Sequence, residues 1–160
     1  MTTDHDQQTR ISADPDIPLV RISRAFDAPV ASLFRAHVDP ELLVQWLGPR
    51  RHTMRVDHFD CRTGGSYRYV HASDGNEYEF FGSFHEVRAD SLIVQTFTFA
   101  GMPDAVALER VRFSALPDGR SMLSGTSLVD SFADRDAFLA GGMEGGVIEG
   151  YERLDELLTR

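Results

Sequence analysis

From Thr53 to Val129 apolar and polar residues alternate in short runs, each closed by a turn signal: Gly64-Gly65, Asp74-Gly75, Ala89-Asp90, the stretch from Gly101 to Asp104, and Asp118-Gly119. A period of two turns one face of each run inward, and connections this short join antiparallel neighbours, since a parallel crossover needs a dozen or more residues. The pattern predicts six antiparallel strands near 53–60, 66–72, 77–88, 91–99, 106–115 and 120–129. A seventh, Leu19 to Phe26, precedes them, with Val20 and Ile22 alternating with Arg21 and Ser23 before Asp27-Ala28-Pro29 breaks the run.

Two short helices follow this first strand. Val30, Leu33, Phe34 and Val38 share one helical face, and Asp39-Pro40 starts a second helix through Leu42, Leu43 and Trp46, with Asp39 as N-cap and Pro40 at a position that needs no N–H. After the strands the period turns helical again. Met143, Val147, Tyr151, Leu154 and Leu158 form one stripe, predicting a single helix of roughly 25 residues, about 38 Å long, from near Ala133 to Leu158. The order predicts an α+β fold: a seven-stranded curved antiparallel sheet wrapped around a long C-terminal helix, with two short helices after the first strand. Where the sheet curls away from the helix, the gap must be filled by side chains or left as a pocket.

Residues 1–16 carry little to bury and read as a flexible N-terminal arm, leaving 17–160 as a single domain. Composition then removes classes of function. All 16 basic residues are arginine, which excludes Schiff-base lysines and the phosphate-binding lysine of a P-loop. A net charge of −9 disfavours nucleic acid and acidic partners. Cys61 is the single cysteine, so no internal disulfide or Cys-x-x-Cys pair exists and a reducing compartment fits. Neither a secretory signal nor a membrane-spanning run is present, so a cytoplasmic location without membrane association is expected.

Further segments carry a family resemblance. Arg24-Ala25-Phe26-Asp27-Ala28-Pro29, Asp39-Pro40-Glu41-Leu42 leading to Gln45-Trp46-Leu47-Gly48-Pro49, and Asp60-x-Arg62-x-Gly64-Gly65-x-Tyr67-x-Tyr69 come in order, followed by Asp74-Gly75, Gly142-Met143-Glu144-x-Gly146 and Arg153 to Leu158. Together they resemble the bacterial homologues of the C-terminal domain of the heat-shock-protein-90 ATPase activator, in the START-like (SRPBCC) helix-grip superfamily. The resemblance runs from about residue 18 to residue 158. It implies the helix-grip fold, but the superfamily includes lipid carriers, hormone receptors, polyketide cyclases and chaperone cofactors, so function must be argued from the site. Relatives often carry a second tryptophan where this chain has Leu47 and an aromatic where it has His37, which alters the expected wall near the pocket mouth.

Tyr67, Tyr69 and His71 alternate on one strand and share a face; if it is concave, two phenols and an imidazole point into the pocket, and otherwise the tyrosines are core rings and His71 lies at the wet end. Tyr78 and Phe80 on the next strand, and Phe97 and Phe99 on the one after, join them as cavity candidates, the inward face of those strands being left open. Trp46 serves either as lid or as core. Met143, Val147 and Tyr151 lie on the helical stripe, and the resemblance places this part of the helix over the opening. Gly141, Gly142, Gly145, Gly146 and Gly150 give that helix a bare patch, read as close packing on the sheet, with a second subunit of a homodimer also compatible. His52, His58, Asp60 and Cys61 cluster without completing a tetrahedral set, so no metal is expected, and no motif calls for a cofactor. Arg50-Arg51 reads as a solvated basic patch, or as a rim for a carboxylate ligand.

The reading that results is a binding module for a small hydrophobic or amphipathic molecule between sheet and C-terminal helix. The alternatives are a metal-free cyclase- or dehydratase-like lyase or isomerase using the tyrosines and His71, and a chaperone-interacting domain. The last is disfavoured by the single domain and the short arm.

Overall fold

The computed structural model describes residues 8–160. Its elements are β1 (Arg10–Ala13), β2 (Leu19–Phe26), α1 (Val30–Val38), α2 (Pro40–Leu43), β3 (Thr53–Phe59), β4 (Ser66–Ser73), β5 (Asn76–Arg88), β6 (Leu92–Phe99), β7 (Ala107–Ala115), β8 (Ser121–Leu128), α3 (Phe132–Ala140) and α4 (Met143–Leu158). They make one open antiparallel sheet in the order β1-β2-β8-β7-β6-β5-β4-β3. The sheet closes no barrel. The positive-φ turns at Gly64, Asp74-Gly75, Asp90 and Asp118-Gly119 fall where the sequence signals them.

Two expectations are corrected. The sheet has eight strands, because Arg10–Ala13, expected to lie in a loose arm, pairs with Ser23–Val20 of β2. This strand buries little; it is held by backbone ladder bonds and by the turn after it. There Asp14 accepts from the backbone N–H groups of Asp16 and Ile17 and from Arg21, while Arg135 on α3 donates to the carbonyls of Asp14 and Ile17. The rest of the expected arm, residues 1–7, lies outside the described residues. Deleting the chain through Ala13 is expected to lower unfolding stability by only about 1 kcal/mol, because the loss is confined to an exposed edge ladder. Urea unfolding of the truncated protein checks this.

The C-terminal helix is two helices. Gly141 caps α3, and Gly142, at φ 87°, takes the left-handed conformation that ends a helix and that only glycine adopts without strain. The apolar stripe starts at Met143 and therefore falls wholly on α4, which at 16 residues is roughly 24 Å long. By contrast α3 buries no residue. α4 is anchored at its C-terminal half: Leu154 is fully buried, the Tyr151 ring meets Phe26 edge-on at 5.8 Å, and Gly150 lies against the backbone of Trp46 and Gly48. The glycine at 150 thus serves approach to the turn after α2, whereas the expected approach was to the sheet. An added Cβ at Gly145 would meet nothing within 4 Å.

Strand register decides which residues face α4. Phe26 and Arg24 of β2 do so, and pairing carries that face through Leu123 and Ser121 on β8. One cross-strand row on this inner face reads Val20, Ser127, Glu109, Gln95, Phe84 across β2, β8, β7, β6 and β5. Among the described residues no helix is long and apolar enough to cross a membrane.

Candidate functional site

The inner face of β4 to β6 is a continuous aromatic surface. Tyr69 pairs with Phe80, His71 with Tyr78, and Phe80 with Phe99, so Tyr78, Phe80, Phe97 and Phe99 share the face of Tyr67, Tyr69 and His71. Tyr67 and Tyr69 stack at 5.7 Å, Tyr69 tilts onto Phe80 at 5.6 Å, and Phe80 stacks on Phe97 at 5.2 Å. Gly82 makes room for this arrangement. With no side chain there, the Tyr67 ring crosses β5 and its hydroxyl donates to the Thr96 carbonyl at 2.6 Å; a Cβ on Gly82 would fall 2.0 Å from that carbonyl oxygen.

Beyond the rings lies a polar floor. Gln95 donates to the Glu109 carboxylate at 3.2 Å and weakly to the Tyr67 oxygen at 3.4 Å. The Ser127 hydroxyl lies beside Glu109 and favours its ionised form, yet it reaches no partner at hydrogen-bond geometry. Burial outweighs both and pushes the Glu109 carboxyl up to about 7. Its charge in turn raises the hydroxyl pKa of Tyr67, Tyr69 and Tyr151, adding to their desolvation, so phenols from β4 and from α4 look onto one carboxylate. Tyr69 is 7% exposed and Tyr151 half-buried.

Glu109, Gln95, Phe97 and Tyr151 are only half-buried by area. Glu109 and Tyr151 are nevertheless strongly desolvated. Each therefore combines a desolvated setting with accessible surface of its own. Met143 and Val147 are half-buried on α4. Arg24 faces the same side from β2. Its guanidinium lies 4.7 Å from the Phe26 ring centre and 3.6 Å from Asp155 of α4, with Nε and the Asp155 Oδ1 otherwise unpartnered.

At one end of the aromatic surface His71 is buried, so of its two readings the wet end of the strand is not where it lies. Its ring packs on Gly48, whose φ of 91° and missing Cβ make the approach possible. Burial, with help from His52 and Arg153, drops its pKa to about 4, so at neutral pH it has no imidazolium proton to donate. His52 stacks on the exposed Tyr78 at 5.7 Å and lies 5.6 Å from His71. Arg153 of α4 donates to the carbonyls of Gly48 and Gln45, fastening the α2 turn to α4.

Trp46 is core: 2% exposed, it donates from Nε1 to the Ala36 carbonyl and packs against Tyr151 at 6.0 Å. His37, expected near the pocket mouth, lies between Trp46 and Phe113 with its pKa lowered by burial to about 4. It fills an aromatic position as a neutral ring. His58 pairs with Ser66, Asp60 with Arg62, and Arg50 is engaged by Glu156 and Glu152 of α4. Outside this face, a depression of ≈ 400 Å³ on the other side of the sheet is lined by His58, Arg68, Phe81, Thr98, Pro103 and Val106 among others.

Glu109 was not among the expected site residues. The signal was present: Ala107-x-Glu109-x-Val111-x-Phe113 places a carboxylate on an apolar strand face, as Ile93-x-Gln95-x-Phe97 does an amide.

The family described as "Activator of Hsp90 ATPase homolog 1-like protein" matches residues 27–159. Among curated proteins none matches the chain. Solved structures similar to it include protein Ms6760 from Mycobacterium smegmatis, at 24% identity over 94% of this chain and 96% of that one, with a TM-score of 0.85. A protein from Arthrobacter aurescens is 22% identical over 94% of this chain and 91% of its own, with a TM-score of 0.86. DynU16, described as a protein in the dynemicin biosynthetic locus, is 18% identical over 91% of this chain and 48% of its own, with a TM-score of 0.66. At these identities the likeness is one of fold.

Proposed function

We propose that this chain, which belongs to the Activator of Hsp90 ATPase homolog 1-like family, holds a small amphipathic molecule between its sheet and α4. The observation that carries the reading is the polar floor inside an aromatic surface. Glu109 and Tyr151 keep accessible surface in a desolvated setting, and the buried Ser127 hydroxyl lacks a partner that a ligand would supply. Apolar walls with a few convergent polar groups are the general make-up of a small-molecule site. A second reading, acid–base catalysis on the bound molecule, is favoured by the same carboxyl, since a group with a pKa near 7 exchanges protons readily at neutral pH. In that case Glu109 takes the role that the sequence suggested for His71.

The test is titration with the neutral dye Nile red beside urea unfolding, for the natural protein and Met143→Trp. A site beneath α4 predicts dye fluorescence with the natural protein, binding weakened several-fold by the indole, and a stability change below about 1 kcal/mol. A natural protein that binds no dye, with a variant destabilised by about 1–3 kcal/mol, would mean the space is packed and the reading is wrong.

A further inference from the structure

The floor of the site has an electrical imbalance that narrows its ligand. Glu109 is a carboxylate among rings, and among the described residues the groups that stabilise its charge are Gln95 and Ser127, neither of them cationic. The other charged side chain on this face, Arg24, is drawn to Asp155 of α4 and to the Phe26 ring, and does not act on Glu109. The hydroxyls of Ser127, Tyr69 and Tyr151 each donate or accept but carry no charge, Tyr67 already gives its proton to Thr96, and Gln95 its amide to Glu109, so among the described residues the carboxylate has hydrogen-bonding neighbours but no counter-charge. The walls are the π faces of Tyr67, Tyr69, Phe80 and Phe97, surfaces that attract a cation when water is excluded. A neutral alcohol would satisfy one acceptor and leave the carboxylate uncompensated; an anion would add repulsion.

We infer that the site selects a protonated amine on an apolar or aromatic body, its ammonium seated against the Glu109 carboxylate and the unpartnered Ser127 hydroxyl beside it. This rests on the ligand-binding reading above and names the ligand class of that same site. The groups facing Glu109 are Gln95 from β6, Ser127 from β8, Tyr67 and Tyr69 from β4 and Tyr151 from α4, with Arg24 on β2 acting on Tyr151. Raised phenols stay protonated at neutral pH, so the carboxyl is the group that titrates there. Binding of an amine therefore strengthens as Glu109 ionises, and binding of a neutral isostere does not.

Isothermal calorimetry with phenethylamine and phenethyl alcohol, near pH 6 and near pH 8, reads this on the natural chain and on Glu109→Gln. The amine is expected to bind more tightly than the alcohol at the higher pH and to lose about ten-fold in affinity at the lower one, as the ionised fraction of a group with a pKa near 7 falls. The glutamine variant should bind the amine about ten-fold more weakly, with no pH dependence, while retaining the alcohol. Amine and alcohol binding alike at both pH values, amine preference surviving in Glu109→Gln, or no amine heat at all would each overturn the inference. Nile red separates the two levels: dye bound without amine selectivity sinks only the ligand class, whereas absence of dye sinks the pocket itself.

Discussion

Glu109→Gln is expected to make the protein more stable at alkaline pH, by about 3 kcal/mol, and to leave stability below about pH 4.5 nearly unchanged. The folded carboxyl has a pKa of about 7 against 4.5 for an ordinary glutamate. Between those values the folded chain still holds a proton that the unfolded chain has released, so each rise in pH favours unfolding. The penalty accumulates through this window and is constant above it. His37 and His71 act oppositely: with folded values of about 4 against 6.5, they cost stability as pH falls from 6.5 toward 4, where the unfolded chain takes up protons first. Both proteins carry those histidines. The difference between their urea stabilities, measured at several pH values, therefore isolates the carboxyl; a pH-independent difference would mean that Glu109 is charge-compensated in the folded state.

The second large effect is expected at Leu154→Ala, which should cost about 3–5 kcal/mol in unfolding stability. Leu154 has no accessible surface and belongs to the same core as Phe26, Leu33, Trp46 and Leu123. α4 reaches that core through few residues, since Gly150 and Leu154 are its fully buried positions. A cavity at residue 154 therefore loosens the helix that closes the site, and dye affinity should fall together with stability. Ile148→Ala, on the same helix but 37% exposed, is the control and should change stability by less than about 0.5 kcal/mol. Equal losses in the two variants would show that α4 is not anchored at its C-terminal half.

The succession of strands along the chain was legible because period two and turn chemistry act locally, whereas the inward face of the strands near 77–88 and 91–99 was not, because only pairing with β4 fixes it. Asp39 caps α2 as its sequence signals, accepting from the Glu41 N–H. The break at Gly141-Gly142 was not legible, because a glycine pair costs an isolated helix little more than two scattered glycines, and only the left-handed turn at Gly142 ends it. The pairing of Arg10–Ala13 was not legible for another reason: an edge strand can be held by ladder bonds that no side chain announces. The strand pattern left His71 open between a pocket and a wet end, and it is buried because Gly48, far away in the chain, comes down on its ring. The polar floor was legible one residue at a time but not as a site. Only sheet register aligns Gln95, Glu109 and Ser127 in one row.

The short strand β1 has a consequence for self-association that its small contribution to stability conceals. Without it, β2 would present an unpaired ladder of eight residues, Leu19–Phe26, to any passing chain, and such an edge is a template for intermolecular pairing. The opposite margin of the sheet is guarded differently. β3 carries a register shift between Val56 and His58, and Arg55 is tied to Asp57 and Glu77, so a foreign strand meets a kink and charge there. The four residues of β1 thus act as a sacrificial border, with their own outer side exposed, short and interrupted by the Asp14 turn. A truncated chain could remain nearly as stable as the whole one and still nucleate aggregates, because the property lost is control over which strand pairs next.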